Sequence, residues 1–96
     1  MKTSDDILAY LRHSQERFAR LYGVRRIGIF GSIVRGAATE GSDLDVLVEM
    51  VDQTFDRYMD LKFELEDAFG TPVDLVLADV VKERLRPIIQ QEVVYA

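Results

Sequence analysis

From Ser4 onward, apolar residues recur at the three- and four-residue intervals of a helix. Ile7, Leu8, Leu11, Phe18, Leu21 and Tyr22 fall on one side of it. Ser4 is placed to cap this helix, Asp5 and Asp6 suit the positive end of its dipole, and Gly23 ends it. The spacing then changes. Residues 26–30 predict a first strand, 32–35 a short helix stopped by Gly36, and 37–42 a loop. Residues 43–50 predict a second strand. Thr54 or Asp52 can cap a second long helix, with Tyr58, Leu61, Leu65, Ala68 and Phe69 on one face and Gly70 at its end. Pro72 introduces a third strand over 73–78. Asp79 starts a helical tail, and Pro87 suits the first turn of a final helix over 87–95.

The strands agree with one another. Leu44, Val46 and Val48 share one face of a period-two strand, as do Val73, Leu75 and Leu77. Asp43 and Asp45 point the other way, and Asp74 lies opposite its own apolar triplet. If helices cover the apolar face, all three aspartates are left on the other. The order αβ(α)βαβα predicts an α/β (α+β) fold, a small mixed sheet backed by helices on one face.

Composition narrows this. With 96 residues, 48% of them hydrophobic, the chain makes one domain, 1–96, around one modest core. The absence of cysteine removes disulfides and thiolate metal sites. The N-terminus carries Asp5 and Asp6 and has no apolar signal-peptide core, and no run approaches the ~18 apolar residues of a membrane span. A cytoplasmic protein with no membrane role is expected. The net charge is −5, and only Arg25-Arg26 and the group Lys82, Arg84 and Arg86 are locally basic. Direct nucleic-acid binding, which needs a basic footprint, is disfavoured.

The chemistry lies at the ends of the predicted strands. Asp43 and Asp45 aim two carboxylates at one small volume. At ~4 Å and an effective dielectric of about 20, two such charges repel by roughly 4 kcal/mol. A cation that binds several oxygens removes that cost, and Mg²⁺ usually completes its shell with substrate phosphates. Upstream, Gly31-Ser32 forms a turn in which bare backbone N–H groups can approach a phosphate and a hydroxyl can donate to it. Asp74 supplies a third carboxylate. Phosphoryl-transfer sites with two ions, ~3.5–4 Å apart, clamp the attacking and leaving oxygens and need more than two ligands. Asp43 and Asp45 would hold the ions. Asp74 would ligate the ion beside the acceptor or take the acceptor's proton. Ser32 and its neighbouring amides would hold the β- and γ-phosphates of a nucleoside triphosphate during attack on the α-phosphate.

Gly31-Ser32, the gap from Ile33 to Ser42, Asp43-x-Asp45 and the later Val73-Asp74-Leu75-Val76 together resemble the nucleotidyltransferase superfamily of DNA polymerase β. The Gly-Ser-x-x-Arg-Gly turn and the Ser42-Asp43-x-Asp45 motif resemble the minimal nucleotidyltransferase (MNT) antitoxins, which pair with HEPN-domain toxins. The resemblance runs from Ile27 to Tyr95. It implies an enzyme that transfers AMP from ATP, with Mg²⁺, to a tyrosine of a partner toxin and silences the toxin's RNase activity in a type VII toxin–antitoxin pair. A hetero-oligomer with the HEPN partner follows from the same resemblance. Larger relatives add a second domain that holds the acceptor; this chain lacks one, so a protein partner is expected. Two alternatives are an antitoxin that neutralises by binding alone, and a catalytic subunit that adenylylates a small molecule.

Other residues carry plainer expectations. Arg35 could meet a phosphate or pair with an acid of the 40–43 loop. Ser42 suits a loop hydrogen bond that orients the aspartates, or a substrate contact. His13 reads as a surface residue. Asp60, Glu64, Glu66 and Asp67 read as a solvated helix face. Val93, Val94 and Tyr95 read as core.

Overall fold

A computed structural model describes residues 3–39 and 41–96. The elements are α1 (Ser4–Tyr22), β1 (Val24–Phe30), α2 (Ser32–Arg35), β2 (Leu44–Met50), α3 (Phe55–Phe69), β3 (Val73–Leu77), a 3₁₀ turn (Ala78–Val80), α4 (Arg86–Glu92) and β4 (Val94–Tyr95). The strands form one mixed sheet in the order β3-β2-β1-β4. β1 is antiparallel to β2 and β4, while β2 and β3 run parallel.

The core fills the space between one sheet face and the two long helices. Ile7, Leu8, Leu11 and Phe18 of α1 and Leu61 and Leu65 of α3 pack on Ile27, Ile29, Leu44, Val46, Val48, Val73 and Leu75. Ser14 is buried on the same stripe of α1. Leu21, which shares the helical spacing, is 49% exposed, so the stripe narrows toward the end of α1. The expected fold class holds: a mixed sheet whose two long helices back one face, while the short α4 lies over part of the other. Among the described residues no helix is long and apolar enough to cross a membrane.

Several local assignments shift. The cap of α1 is Thr3 rather than Ser4. Asp6 N–H donates to Thr3 Oγ1 at 3.1 Å and Thr3 N–H donates back to Asp6 Oδ2 at 3.2 Å, a reciprocal capping box. Thr54, not Asp52, caps α3 by accepting from Arg57 N–H. The helical tail after β3 is only a 3₁₀ turn. The final helix ends at Glu92 rather than reaching 95, and Val94 and Tyr95 leave it to pair with β1. Two β-branched residues and a tyrosine favour that extended ending. Gly28 makes room for it, since a Cβ there would lie 2.6 Å from Val94 O. Val94 and Tyr95 are therefore edge-strand residues, and Val94 is exposed.

The acidic run on α3 is not uniformly solvated. Asp60 and Asp67 are exposed, but Glu64 and Glu66 turn inward. Arg17 donates to both Glu64 oxygens, at 2.8 and 2.7 Å. The Tyr22 hydroxyl donates to Oε1 at 2.8 Å and the Tyr10 hydroxyl to Oε2 at 3.1 Å. Glu66 Oε2 accepts the Val73 N–H at 2.9 Å, fixing the start of β3. His13 is exposed, as expected.

Candidate active site

Three strand ends meet at one edge of the sheet. β1 ends there, and β2 and β3 begin there. Phe30 pairs with Asp45, and Asp45 pairs with Asp74. Adjacent strands lie ~4.8 Å apart, so the two in-register aspartates stand side by side on one face. Asp43 sits just before β2 with the same parity as Asp45. Their strand neighbours Leu44, Val46, Val73 and Leu75 go into the core, so the period of two leaves the aspartates on the side away from α1 and α3. Asp45 is half-buried; Asp43 and Asp74 are exposed.

The chain leaves β1 through Gly31, with φ 78° and ψ −149°. Side-chain-bearing residues are strained in that conformation. Space makes the same demand, because a Cβ on Gly31 would lie 2.1 Å from Asp45 Oδ2. The turn backbone is therefore pressed against the central carboxylate. Gly31 C=O accepts the N–H groups of Val34 and Arg35 at 3.1 and 3.2 Å, which shapes the short α2. The amides of Ser32 and Ile33 open that helix, where no preceding turn supplies an acceptor.

Electrostatics single out Asp45. Its carboxyl is pushed above the ordinary aspartate value, first by burial and then by the negative charges of Asp74 and Asp43. Arg35 pulls it down, and Glu92 pushes it up. Among the described residues no three His, Cys, Asp or Glu side chains already converge into a ready-made metal group. The aspartates feel one another without being closed up.

The remaining candidates take distinct places. The Ser42 hydroxyl accepts the Thr39 N–H at 3.0 Å and lies 3.2 Å from Thr39 Oγ1, while Thr71 Oγ1 donates to Ser42 C=O at 3.3 Å. It makes the loop hydrogen bond expected of it, in the segment that leads into Asp43. Arg35 does not pair with a described acid of the 40–43 loop, and Glu40 lies outside the described residues. Arg35 Nη1 donates instead to Glu92 Oε1, at the end of α4.

Glu92 is the residue that sequence reasoning missed. A helix running to residue 95 hides it, whereas a break before Val93-Val94-Tyr95 points to it. The β1–β4 register pairs Gly28 with Tyr95 and Ile29 with Val94. Continued two steps further, it sets Glu92 beside Gly31. The same C-terminal segment crosses the other end of this sheet face, where Leu47, Val81, Ile89 and Tyr95 line a cleft of about 170 Å³.

Known proteins share this fold and family. The nucleotidyltransferase domain family model matches residues 11–96. A Thermococcus cleftensis chain, protein adenylyltransferase MntA, is 36% identical over 96 residues, covering 99% of this chain and 97% of its own length. A solved structure described as a minimal nucleotidyltransferase superposes with a TM-score of 0.73 at 35% identity, covering 91% of this chain and 93% of that one. A chain from the complex of a tri-AMPylated Shewanella oneidensis HEPN toxin with an MNT antitoxin shares the fold, with a TM-score of 0.62 at 19% identity over 92% of this chain and 70% of that one.

Proposed function

This chain belongs to the nucleotidyltransferase domain family, and from that premise we propose that the enzyme moves AMP from ATP, with Mg²⁺, to a tyrosine hydroxyl of a HEPN-domain toxin. It acts as the antitoxin of a type VII toxin–antitoxin pair in the cytoplasm, with residues 1–96 as a single catalytic domain that joins the toxin in a hetero-oligomer. The T. cleftensis relative carries the name of a protein adenylyltransferase, and the S. oneidensis complex holds an AMPylated HEPN toxin. Both support this choice of donor and acceptor.

The observation that carries the reading is the contact between Gly31 and Asp45. A Cβ at Gly31 would collide with the Asp45 carboxylate, so any phosphate on the turn is also beside the acids. The donor set fits a hard cation: oxygen ligands only, one half-buried and already crowded by like charge. Asp43, Asp45 and Asp74 would hold Mg²⁺, with two ions in the complete site. The metal would supply positive charge to the phosphates and make the acceptor hydroxyl easier to deprotonate.

The chain's own residues divide the remaining work. The Ser32 and Ile33 amides and the Ser32 hydroxyl bind the β- and γ-phosphates, and Arg35 offers a guanidinium to the same charge. Ser42 keeps Asp43 in place through the loop. The sheet order supports one direction of transfer. The turn lies on the β1 side of Asp45 and Asp74 on the β3 side, so pyrophosphate leaves on one side and the acceptor enters on the other. A tyrosine hydroxyl, with an ordinary pKa near 10, gains from a carboxylate at Asp74 that takes its proton.

Intact-mass spectrometry of the cognate HEPN protein, incubated with this chain, ATP and Mg²⁺, tests the reading. AMP is expected on a partner tyrosine. Asp74→Asn should leave ATP binding largely intact and slow transfer by ~10²-fold or more. A partner that is silenced without gaining AMP overturns the reading in favour of neutralisation by binding.

A further inference from the structure

Arg35 occupies the one turn of helix that begins at the proposed phosphate cradle, yet its guanidinium is held by Glu92 from the far end of the chain. This pair is a product of tertiary structure. The helix end that carries Glu92 is followed by β4, whose pairing with β1 returns this end of the chain to the sheet, and Glu92 there meets Arg35 of α2. The Glu92 side chain is only 21% exposed while that of Arg35 is 57% exposed. The carboxylate is thus the shielded partner and the guanidinium the solvent-facing one. Glu92 also adds negative charge at a site that holds Asp43, Asp45 and Asp74 and must accept a polyphosphate. A carboxylate outside the proposed metal ligands opposes polyphosphate binding by its like charge unless it yields its cation.

We propose that Glu92 is a positioning residue that holds Arg35 as a stand-in for phosphate and releases it to the incoming triphosphate. The Arg35–Glu92 pair keeps the guanidinium at the mouth of the Gly31–Ser32 turn in the free protein. ATP then displaces one anion by another. The phosphate oxygens replace the Glu92 carboxylate on the same N–H donors, and Glu92 is left without its cation at the end of α4. This inference rests on the nucleotide reading above and adds a residue that no motif marks.

The sign of one substitution decides it. With its guanidinium 57% exposed the pair contributes little to stability, and Glu92→Gln keeps an uncharged hydrogen-bonding partner of the same shape, so the substitution leaves the fold intact. If Glu92 competes with phosphate, Glu92→Gln binds ATP more tightly than wild type, by about three- to fivefold. Glu92→Asp, which keeps the charge, stays near wild type. In an Arg35→Gln background the gain from Glu92→Gln falls below about twofold, because no guanidinium remains to be released. AMP, which lacks the β- and γ-phosphates, shows a smaller gain than ATP. Isothermal titration of ATP and AMP into wild type, both single Glu92 variants, Arg35→Gln and Arg35→Gln/Glu92→Gln measures all of this. Weaker ATP binding by Glu92→Gln means that Glu92 orients Arg35 throughout, and it overturns the proposal, as does a gain that persists undiminished without Arg35. A wild type that binds no ATP overturns the nucleotide reading together with this inference, whereas a wild type that binds ATP while Glu92→Gln fails to tighten it sinks this inference alone.

Discussion

Glu64 and Asp45 are both half-buried carboxylates, and the fold treats them in opposite ways. Glu64 joins α3 to α1 and receives Arg17, Tyr22 and Tyr10 as donors. Burial acts to raise its pKa, but the hydrogen bonds from Arg17 and Tyr22, the Arg17 charge and the Tyr10 hydroxyl together bring it below the ordinary glutamate value. Its partner Tyr22 is pushed up to about 12, first by burial and then by its bond to the Glu64 carboxylate. Asp45 is surrounded by the opposite kind of neighbour. Burial, Asp74 and Asp43 all raise it, and the cation that tempers it, Arg35, is held by Glu92. The fold therefore satisfies one carboxylate internally and leaves the other among like charges. A native structure that tolerates concentrated like charge marks a functional site, and a fully partnered carboxylate marks a structural one.

The largest expected effect separates the two by activity. Asp45→Asn should slow AMP transfer on the order of 10³-fold, the scale of removing a main electrostatic element of a transition state. It should not lower the melting temperature, because it removes a buried charge among like charges. Transfer assayed by mass spectrometry, with thermal melts on the same samples, checks both halves; an Asp45→Asn protein that melts well below wild type contradicts the contrast.

Gly31 joins the backbone to the acidic side of this comparison. Gly31→Val should cost about 1–3 kcal/mol of stability from its φ alone, or roughly 4–8 °C per kcal/mol in a domain of this size. It should also abolish ATP binding, since the new side chain fills the space against Asp45. Melting curves and ATP titration report the two losses. Retained ATP affinity would place the phosphates away from the turn.

The smallest effect is the sharpest in sign. Glu64→Gln should destabilise by about 2 kcal/mol, the value of hydrogen bonds to a charged acceptor discounted for partial exposure, while transfer persists. The stabilisation from Glu64 is present above the ordinary glutamate pKa of 4.5 and lost as pH falls through its lowered folded value. Asp45 runs the other way. Its folded pKa is raised above 3.8, so its ionised form costs stability at neutral pH, and that cost disappears as pH falls through the raised value. Urea unfolding at a series of pH values should show wild type losing its advantage over Glu64→Gln in acid, and losing its disadvantage against Asp45→Asn there. Two differences that move in the same direction would show that the contrast between the two carboxylates is not electrostatic.

Most of the fold and the acidic site could be read along the chain. Alternation in 44–48 and 73–77 assigned each residue to a face, and a period of two admits only one placement of Asp43, Asp45 and Asp74 once the helices cover the valines and leucines. Gly31 could be read as a turn whose bare backbone can approach a phosphate, but that a Cβ there would also strike Asp45 came only from the fold. Glu64 was illegible for a related reason. Helical spacing puts it at the edge of the apolar face, and nothing local says that Arg17, Tyr10 and Tyr22 of another helix lie opposite. Patterns report the side a residue faces but not the partner it finds there.

Short-range decisions were therefore legible along the chain: helix faces, strand parity, the Gly31–Ser32 turn and the side of the sheet that the three aspartates take. Only the tertiary structure decided that Val94 and Tyr95 add an antiparallel edge to β1 and bring Glu92 to Arg35. It also decided which acids of α3 are partnered and which face solvent. The physical reason is that strand pairing and ion pairing between distant segments depend on register and approach. A weak, two-residue strand acquires its register only when the sheet edge it joins already exists.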